Sequence, residues 1–294
     1  MKNLSDIKYR IKGISQTRQI TSAMETVSIA KMRRAMQKFN NNMLYFNKVR
    51  ATIRDIIGHS GGITHRYWQK RTGGRAVYVI IAGDKGLAGG YNNNVLNYAL
   101  QRMEQAGHKE RYVFTIGNIA REFFERKNIS VDIEFIHMTH NPALKDAEEI
   151  ADTLVSLYEQ DLMDEAYVVY TALENSSTMR PDTVALLPLI SACIAEPDRN
   201  IEKTGGNFNE LYYDPGPEEV LEILVPQYLT GIIYSCLIQS VASEHSSRVL
   251  AMSSATKNAD EILGHLNIVY NRARQEAITN EMIEIMTGAN SVRG

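Results

Sequence analysis

The chain has 294 residues, 44% of them hydrophobic and 22% charged, which excludes wholesale disorder and fits one large domain or two modest ones. Two cysteines, Cys193 and Cys236, cannot build a disulfide scaffold, so a reducing compartment is favoured over secretion. The net charge of −2 conceals an asymmetry: residues 1–57 hold 12 Lys/Arg against 3 Asp/Glu, residues 58–226 hold 15 against 25, and residues 227–294 hold 5 against 6. One end of the chain is therefore built to meet something acidic. No membrane span is expected, because the longest apolar run, Val184 to Ala195, is broken by Pro188 and Ser191 and reads as a buried segment. The amino terminus lacks the apolar stretch of a signal peptide.

Residues 1–57 contain a single glycine, Gly13, and no proline. Asn3 with Asp6 is a weak start signal, and Gly58 to Gly62 is a firm stop. Between them Leu4, Ile7, Ile11 and Ile14 step by three and four. After a polar gap at Arg18, Thr21 and Glu25, the spacing resumes with Met32, Met36, Phe39, Met43, Phe46, Val49 and Ile53. This predicts one long helix with a coiled-coil seam.

The middle differs. Residues 76–82, 112–116, 131–136, 166–170 and 183–187 are short and rich in β-formers, with helical stretches at 94–106, 118–127 and 143–163. Strands alternating with helices predict a Rossmann-like α/β domain with a mostly parallel sheet. At the far end, Pro217-Glu218-Glu219 starts a second long helix, which Pro226 should kink. Met252, Ala255, Ala259, Ile262, Leu266, Val269 and Ala273 give it an alanine-rich seam.

A helix of about 55 residues is roughly 82 Å long, whereas a domain of roughly 160 residues is about 40 Å across. Such a helix cannot be buried by that domain, and the cheapest cover for its apolar stripe is the other long helix. The expected architecture is an antiparallel coiled-coil shaft, residues 1–57 and 217–294, with an α/β foot at 58–216. If both helices leave the foot at one level, the second, from about 217 to 287, should overshoot the first by roughly a dozen residues.

For chemistry, the strongest lure is Gly83-Asp84-Lys85-Gly86-Leu87-Ala88-Gly89-Gly90, between a strand and a helix, the geography of phosphate binding. No Gly-Lys-Ser/Thr occurs, and Gly86-x-x-Gly89 lacks the rest of a dinucleotide fingerprint, so a tight turn is the simpler reading. His137 and His140 lie close together without a cysteine or clustered carboxylate to complete a metal site. The carboxylates Asp146, Glu148, Glu149, Asp152 and Glu159 read as a solvated helix face. No nucleophile elbow or other catalytic constellation is present, and no cofactor is expected. The basic cluster Lys31, Arg33, Arg34 and Lys38 lacks aromatics for base stacking. It reads as a solvated helix face first, as a contact for acidic protein loops next, and not as a nucleic-acid site.

Three blocks match one family. Residues 20–33, the 84–94 loop, and 269–289 with its Ile278-Thr279-x-Glu281-x-x-Glu284-x-x-x-Gly288-Ala289 pattern together resemble the γ subunits of F-type ATP synthases. The likeness spans nearly the whole chain. Ala88 stands where the family often has cysteine, and the cysteine insertion of chloroplast members has no counterpart, so the bacterial type is implied.

The resemblance implies a non-catalytic, single-copy rotor that couples proton or sodium flow to ATP synthesis or hydrolysis. Its shaft would turn inside three α and three β subunits, its foot would bind ε and the c-ring, and catalysis would belong to β. It implies a peripheral position on the cytoplasmic face of a bacterial membrane. It further implies that Met24, Lys31, Arg33 and Arg34 face acidic levers of β, and that Arg274, Gln275, Thr279, Glu281 and Glu284 contact β loops. Asp84, Lys85 and Gly86 are read as a protein contact, because the lysine precedes the turn and no hydroxyl follows it. Two other classes compete: a small-molecule-binding α/β module whose helices dimerise, and a free-standing coiled-coil scaffold.

Overall fold

The computed structural model describes residues 4–59, 65–69, 71–136, 138–175, 178–189, 213–214 and 216–291. Among these the elements run α1 (Leu4–His59), a 3-10 turn (Arg66–Trp68), β1 (Arg75–Ile81), α2 (Tyr91–Gln105), β2 (Glu110–Ile116) and α3 (Asn118–Arg126). They continue with β3 (Ile133–Phe135), α4 (Leu144–Glu159), β4 (Glu165–Leu173), β5 (Met179–Leu187) and α5 (Pro217–Ser291). Pro226 lies inside α5 without ending it. The chain divides into two compact units, Met1–Ile29 with Arg248–Gly294, and Ala30–Ser247.

In the first unit the two helix segments run antiparallel. The Thr21 and Thr256 hydroxyls meet at 2.7 Å, and the Arg18 guanidinium pairs with the Asp260 carboxylate. Ile7, Thr21 and Ser28 are buried, and with the half-buried Ile14 they recur every seven residues. The polar gap read from the sequence is thus part of the seam, which a hydroxyl pair carries across. On α5 the seam also departs from expectation. Met252 and Ala259 are buried, but Ile262 is 44% exposed and Leu263 is half-buried in its place. Steps of four and three from Met252 through Thr256, Ala259, Leu263 and Leu266 follow the covered edge. The Ala255–Ile262–Val269 track lies one residue aside. The Arg18–Asp260 register carries Leu4 opposite Arg274, so α5 continues from Gln275 to Ser291 beyond the first described residue of α1.

In the second unit five strands lie in the order β3-β2-β1-β4-β5, parallel except for β5, which is antiparallel to β4. Alternate residues of the central β1 feed two cores. Val77, Val79 and Ile81 pack with Ile53 and Ile56 of α1, Ile150 and Leu154 of α4, and Ile233 and Leu237 of α5. Ala76, Tyr78 and Ile80 pack with Val95, Leu96 and Ala99 of α2 and Ala120 and Phe124 of α3. Helices cover both faces, as alternation of the elements predicts. β5 begins at Met179, ahead of the expected Thr183, and includes Pro181, which an edge strand tolerates. Asp146, read as part of a solvated face, accepts the Ala143 N–H at 2.8 Å and so caps α4.

Two glycines have a steric reason. At Gly117 φ is +97°, and a Cβ would lie 2.4 Å from the Ala82 carbonyl oxygen. At Gly231 a Cβ would lie 2.0 Å from Phe46 Cδ1, so α1 and α5 approach where a large ring meets no side chain. An 18-residue window of α5 reaches a mean hydropathy of 1.5, enough by length and composition alone for a membrane span. The sequence reading missed it because the run is broken by polar residues such as Thr230 and Ser235. With 61% of that window buried inside the protein, it reads as a core helix. Of the apolar run Val184 to Ala195, residues 190–195 lie outside the described residues.

Candidate functional site

The glycine loop after β1 is organised by side chains that close it from within. The Gly83 N–H donates to Asn92 Oδ1 at 2.8 Å, and Asn92 Nδ2 donates to the Lys85 carbonyl at 3.5 Å. Asp84 accepts the Asn118 N–H at 3.1 Å on one oxygen and the Thr139 hydroxyl on the other. His140 Nε2 stands 4.0 Å from that second oxygen. The Ser247 hydroxyl donates to the Ala88 carbonyl at 2.7 Å. Leu87, at φ +63°, turns the chain outward, and Lys85, Gly86 and Leu87 are exposed.

Of the three loop residues singled out by sequence, Lys85 and Gly86 thus face solvent, whereas Asp84 braces the loop. A phosphate cradle needs free N–H groups and positive potential. Here the Gly83 N–H is already bonded, and the buried Glu244 carboxylate stands beside it, with Cδ 3.1 Å from where a Gly83 Cβ would be.

The basic residues of α1 divide by helical spacing. Lys31, Arg34 and Lys38, at intervals of three and four, line one side of an open cleft of about 450 Å³, and His140, Ile238 and His245 line the rest. Lys38 Nζ donates to Asn141 Oδ1 at 2.7 Å, while Lys31, Arg33 and Arg34 are exposed. Arg33 is not among the cleft residues. His140 stood out in the sequence only for its spacing from His137, and nothing there joined it to His245, since the cleft unites segments about a hundred residues apart. Met24, in the other unit, is half-buried, and its carbonyl accepts the buried Ser28 hydroxyl at 2.7 Å.

At the end of α5, Arg274, Gln275, Thr279, Glu281 and Glu284 are all exposed. The Thr279 hydroxyl donates to the Gln275 carbonyl at 2.9 Å. Ile278, Met282, Ile285 and Met286 are 46%, 61%, 66% and 67% exposed, so a continuous apolar strip is open to solvent. At 100° per residue, Arg274, Glu281 and Glu284 fall along one flank of that strip and Thr279 along the other, while Gln275 lies in line with the strip itself, just ahead of Ile278. The side chains of Gly288 and Ala289 lie outside the described residues.

Among the described residues no group of three or more His, Cys, Asp or Glu side chains is placed to hold a metal ion. His137 and Cys193 lie outside the described residues. Cys236 is buried, and burial pushes its thiol well above the usual range, so it stays neutral.

A family model for ATP synthase matches residues 3–292 of the chain. The ATP synthase γ chain of Ruminiclostridium cellulolyticum is 38% identical over 294 residues, covering 99% of each chain. That of Alkaliphilus metalliredigens is 39% identical over 291 residues, again covering 99% of each. The fold is shared with a chain of the Euglena gracilis mitochondrial ATP synthase rotor, at a TM-score of 0.62 and 16% identity, over 94% of this chain and 98% of that one. It is also shared with a chain of the Tetrahymena thermophila mitochondrial ATP synthase central stalk and c-ring, at a TM-score of 0.56 and 18% identity, over 80% and 99%. With the long paired helices, the mostly parallel sheet and full-length identity above a third, the chain belongs to the γ-chain family of F-type ATP synthases.

Proposed function

We propose that the central-stalk rotor function of this family is performed here by three contact surfaces, with no bond-making chemistry in the chain itself. Residues 1–57 and 217–294 form the shaft that turns within three α and three β subunits, and residues 58–216 form the foot that engages ε and the c-ring. One copy serves each complex, held peripherally on the cytoplasmic face of a bacterial membrane, and its rotation couples proton or sodium flow to ATP synthesis or hydrolysis on β. Lys31, Arg33 and Arg34 supply cations for acidic levers. Met24, unbranched and uncharged, lets neighbours slide past. Lys85 and Gly86, positioned by Asp84, form a second contact. Arg274, Gln275, Thr279, Glu281 and Glu284 form a polar latch beside the apolar strip.

The observation that carries this reading is the end of α5, where an apolar strip is exposed between two polar flanks over fourteen residues, 274–287, with no cover among the described residues. Apolar contact is non-directional and permits turning, whereas hydrogen bonds favour particular angles. Such a tip suits a sleeve in which a rotor turns and pauses. Purification of the native complex tests the assignment. One copy of this chain with three α and three β chains is expected, with rotation of a probe fixed to residues 58–216 during ATP hydrolysis. A homodimer free of α and β would refute it.

A further inference from the structure

A helix lying on a protein surface buries one stripe. From Ser240 to Ser246, α5 buries everything: Ser240, Val241, Ala242, Ser243, Glu244, His245 and Ser246 are each 8% exposed or less. Seven consecutive residues at 100° each sample every direction around the axis, so the protein encloses the helix here. Five of the seven are polar, and with Ser247 this stretch has four serines in eight residues, a choice that weakens a helix relative to alanine.

Two of these hydroxyls reach backbone outside the helix, while the buried Ser240 Oγ makes no hydrogen bond. Ser243 Oγ donates to the Thr171 carbonyl of β4 at 3.0 Å, and Ser247 Oγ, one turn on, donates to the Ala88 carbonyl in the loop after β1 at 2.7 Å. Between them Glu244 abuts Gly83 in the loop after β1. Thr171 stands opposite Pro181 of β5, a residue with no N–H to offer. Both acceptors are backbone atoms, whose positions the sheet and the closed loop fix, with no rotamer to yield.

We propose that Ser243 and Ser247 are positioning residues of a torque clamp that locks α5 to the sheet against rotation about its own axis. An apolar collar would hold the helix in place but let it slip, because apolar contact has no preferred angle. Two hydrogen bonds from successive turns, one to β4 and one to the loop after β1, cannot both survive a turn of the helix. The proposal rests on the rotor reading, in which torque must pass between α5 and the sheet.

The test uses assembled ATP synthase in membrane vesicles carrying S243A/S247A. ATP hydrolysis should stay within about twofold of wild type, while ions pumped per ATP hydrolysed should fall by about threefold or more, and amide exchange over residues 83–92 should quicken about tenfold. S247T, which keeps the hydroxyl, should retain wild-type pumping, a rescue that a mere packing role would not predict. Pumping per ATP equal to wild type in S243A/S247A would overturn the clamp. Should that variant not assemble, S247A alone decides by the same ratio. If wild-type vesicles lacking this chain pump as well as complete ones, the rotor reading itself fails, a result distinct from failure of the clamp.

Discussion

Asp164, 3% exposed on its side chain, is answered on both oxygens by Arg75, whose backbone N–H and Nε reach Oδ2 at 2.9 and 3.0 Å and whose Nη2 reaches Oδ1 at 2.9 Å. Those bonds hold its carboxyl below the ordinary 3.8, against the opposing pull of burial. His65, 5% exposed and 3.3 Å from Glu222, is lowered from 6.5 chiefly by burial. Both folded values lie below the unfolded ones, so the unfolded chain takes up more protons as the pH falls, and acid destabilises through both groups. The His65 contribution is complete above 6.5 and declines below it, whereas that of Asp164 is complete above 3.8 and is lost as the pH falls through its depressed folded value. The melting temperature of the isolated chain should therefore drop between about pH 7.5 and about pH 5.5, and His65→Gln should flatten that drop by about half or more. An undiminished drop in the variant would assign it elsewhere. Neither partnership was legible in the sequence, because Arg75–Asp164 and His65–Glu222 each join residues far apart in the chain. Met24 was singled out by its motif, as a residue facing acidic levers of β. Met24→Lys should add an ion pair with an acidic lever and lower ATP-driven pumping about fivefold or more while ATP hydrolysis persists. Unchanged pumping would count against that placement.

At the scale of elements, what periodicity encodes was readable and what packing decides was not. The three- and four-residue steps of 1–57 located α1 almost to its ends, and alternating strand and helix composition placed every strand of a sheet whose central member is buried on both faces. The seams were read less well. Apolar content alone skipped Thr21 and Ser28, which the heptad includes, and chose Ile262 over Leu263 on α5. A seam is fixed by the partner helix, and a single helix carries that information only faintly. The same limit hid the meeting of Phe46 with Gly231. That contact makes a sharp prediction. Gly231→Ala should destabilise the chain by about 1–3 kcal/mol, since a Cβ there lies 2.0 Å from the Phe46 ring and the ring must shift within a packed core. Phe46→Leu should recover part of that loss in the double variant while costing stability on its own, by denaturant titration. Simple additivity of the two changes would mean that they do not share this contact.

At the scale of the whole molecule, the question is which part of a 75-residue helix sets turnover and which merely ends the chain. The residues from Arg274 to Thr287 are exposed throughout, so their folded-state packing contributes little to the stability of the isolated chain. Their effects should therefore show in the complex and not in the melting temperature. Arg274 offers a charged fork and Gln275 a neutral amide, about 100° apart around the helix. Charge-assisted hydrogen bonds are about twice as strong as neutral ones. In assembled complexes Arg274→Ala should lower ATPase turnover about tenfold and Gln275→Ala about threefold, with assembly intact. Removal of residues 289–294 should do less than either, leaving assembly and rotation largely unchanged, because the strip from Ile278 to Met286 and both flanks remain. Counting subunits in the complex of the trimmed chain, and then timing its rotation, separates the two roles. Loss of α and β from that complex would make the terminal residues an anchor, and the sleeve in which the tip turns would have to be replaced by a fixed socket.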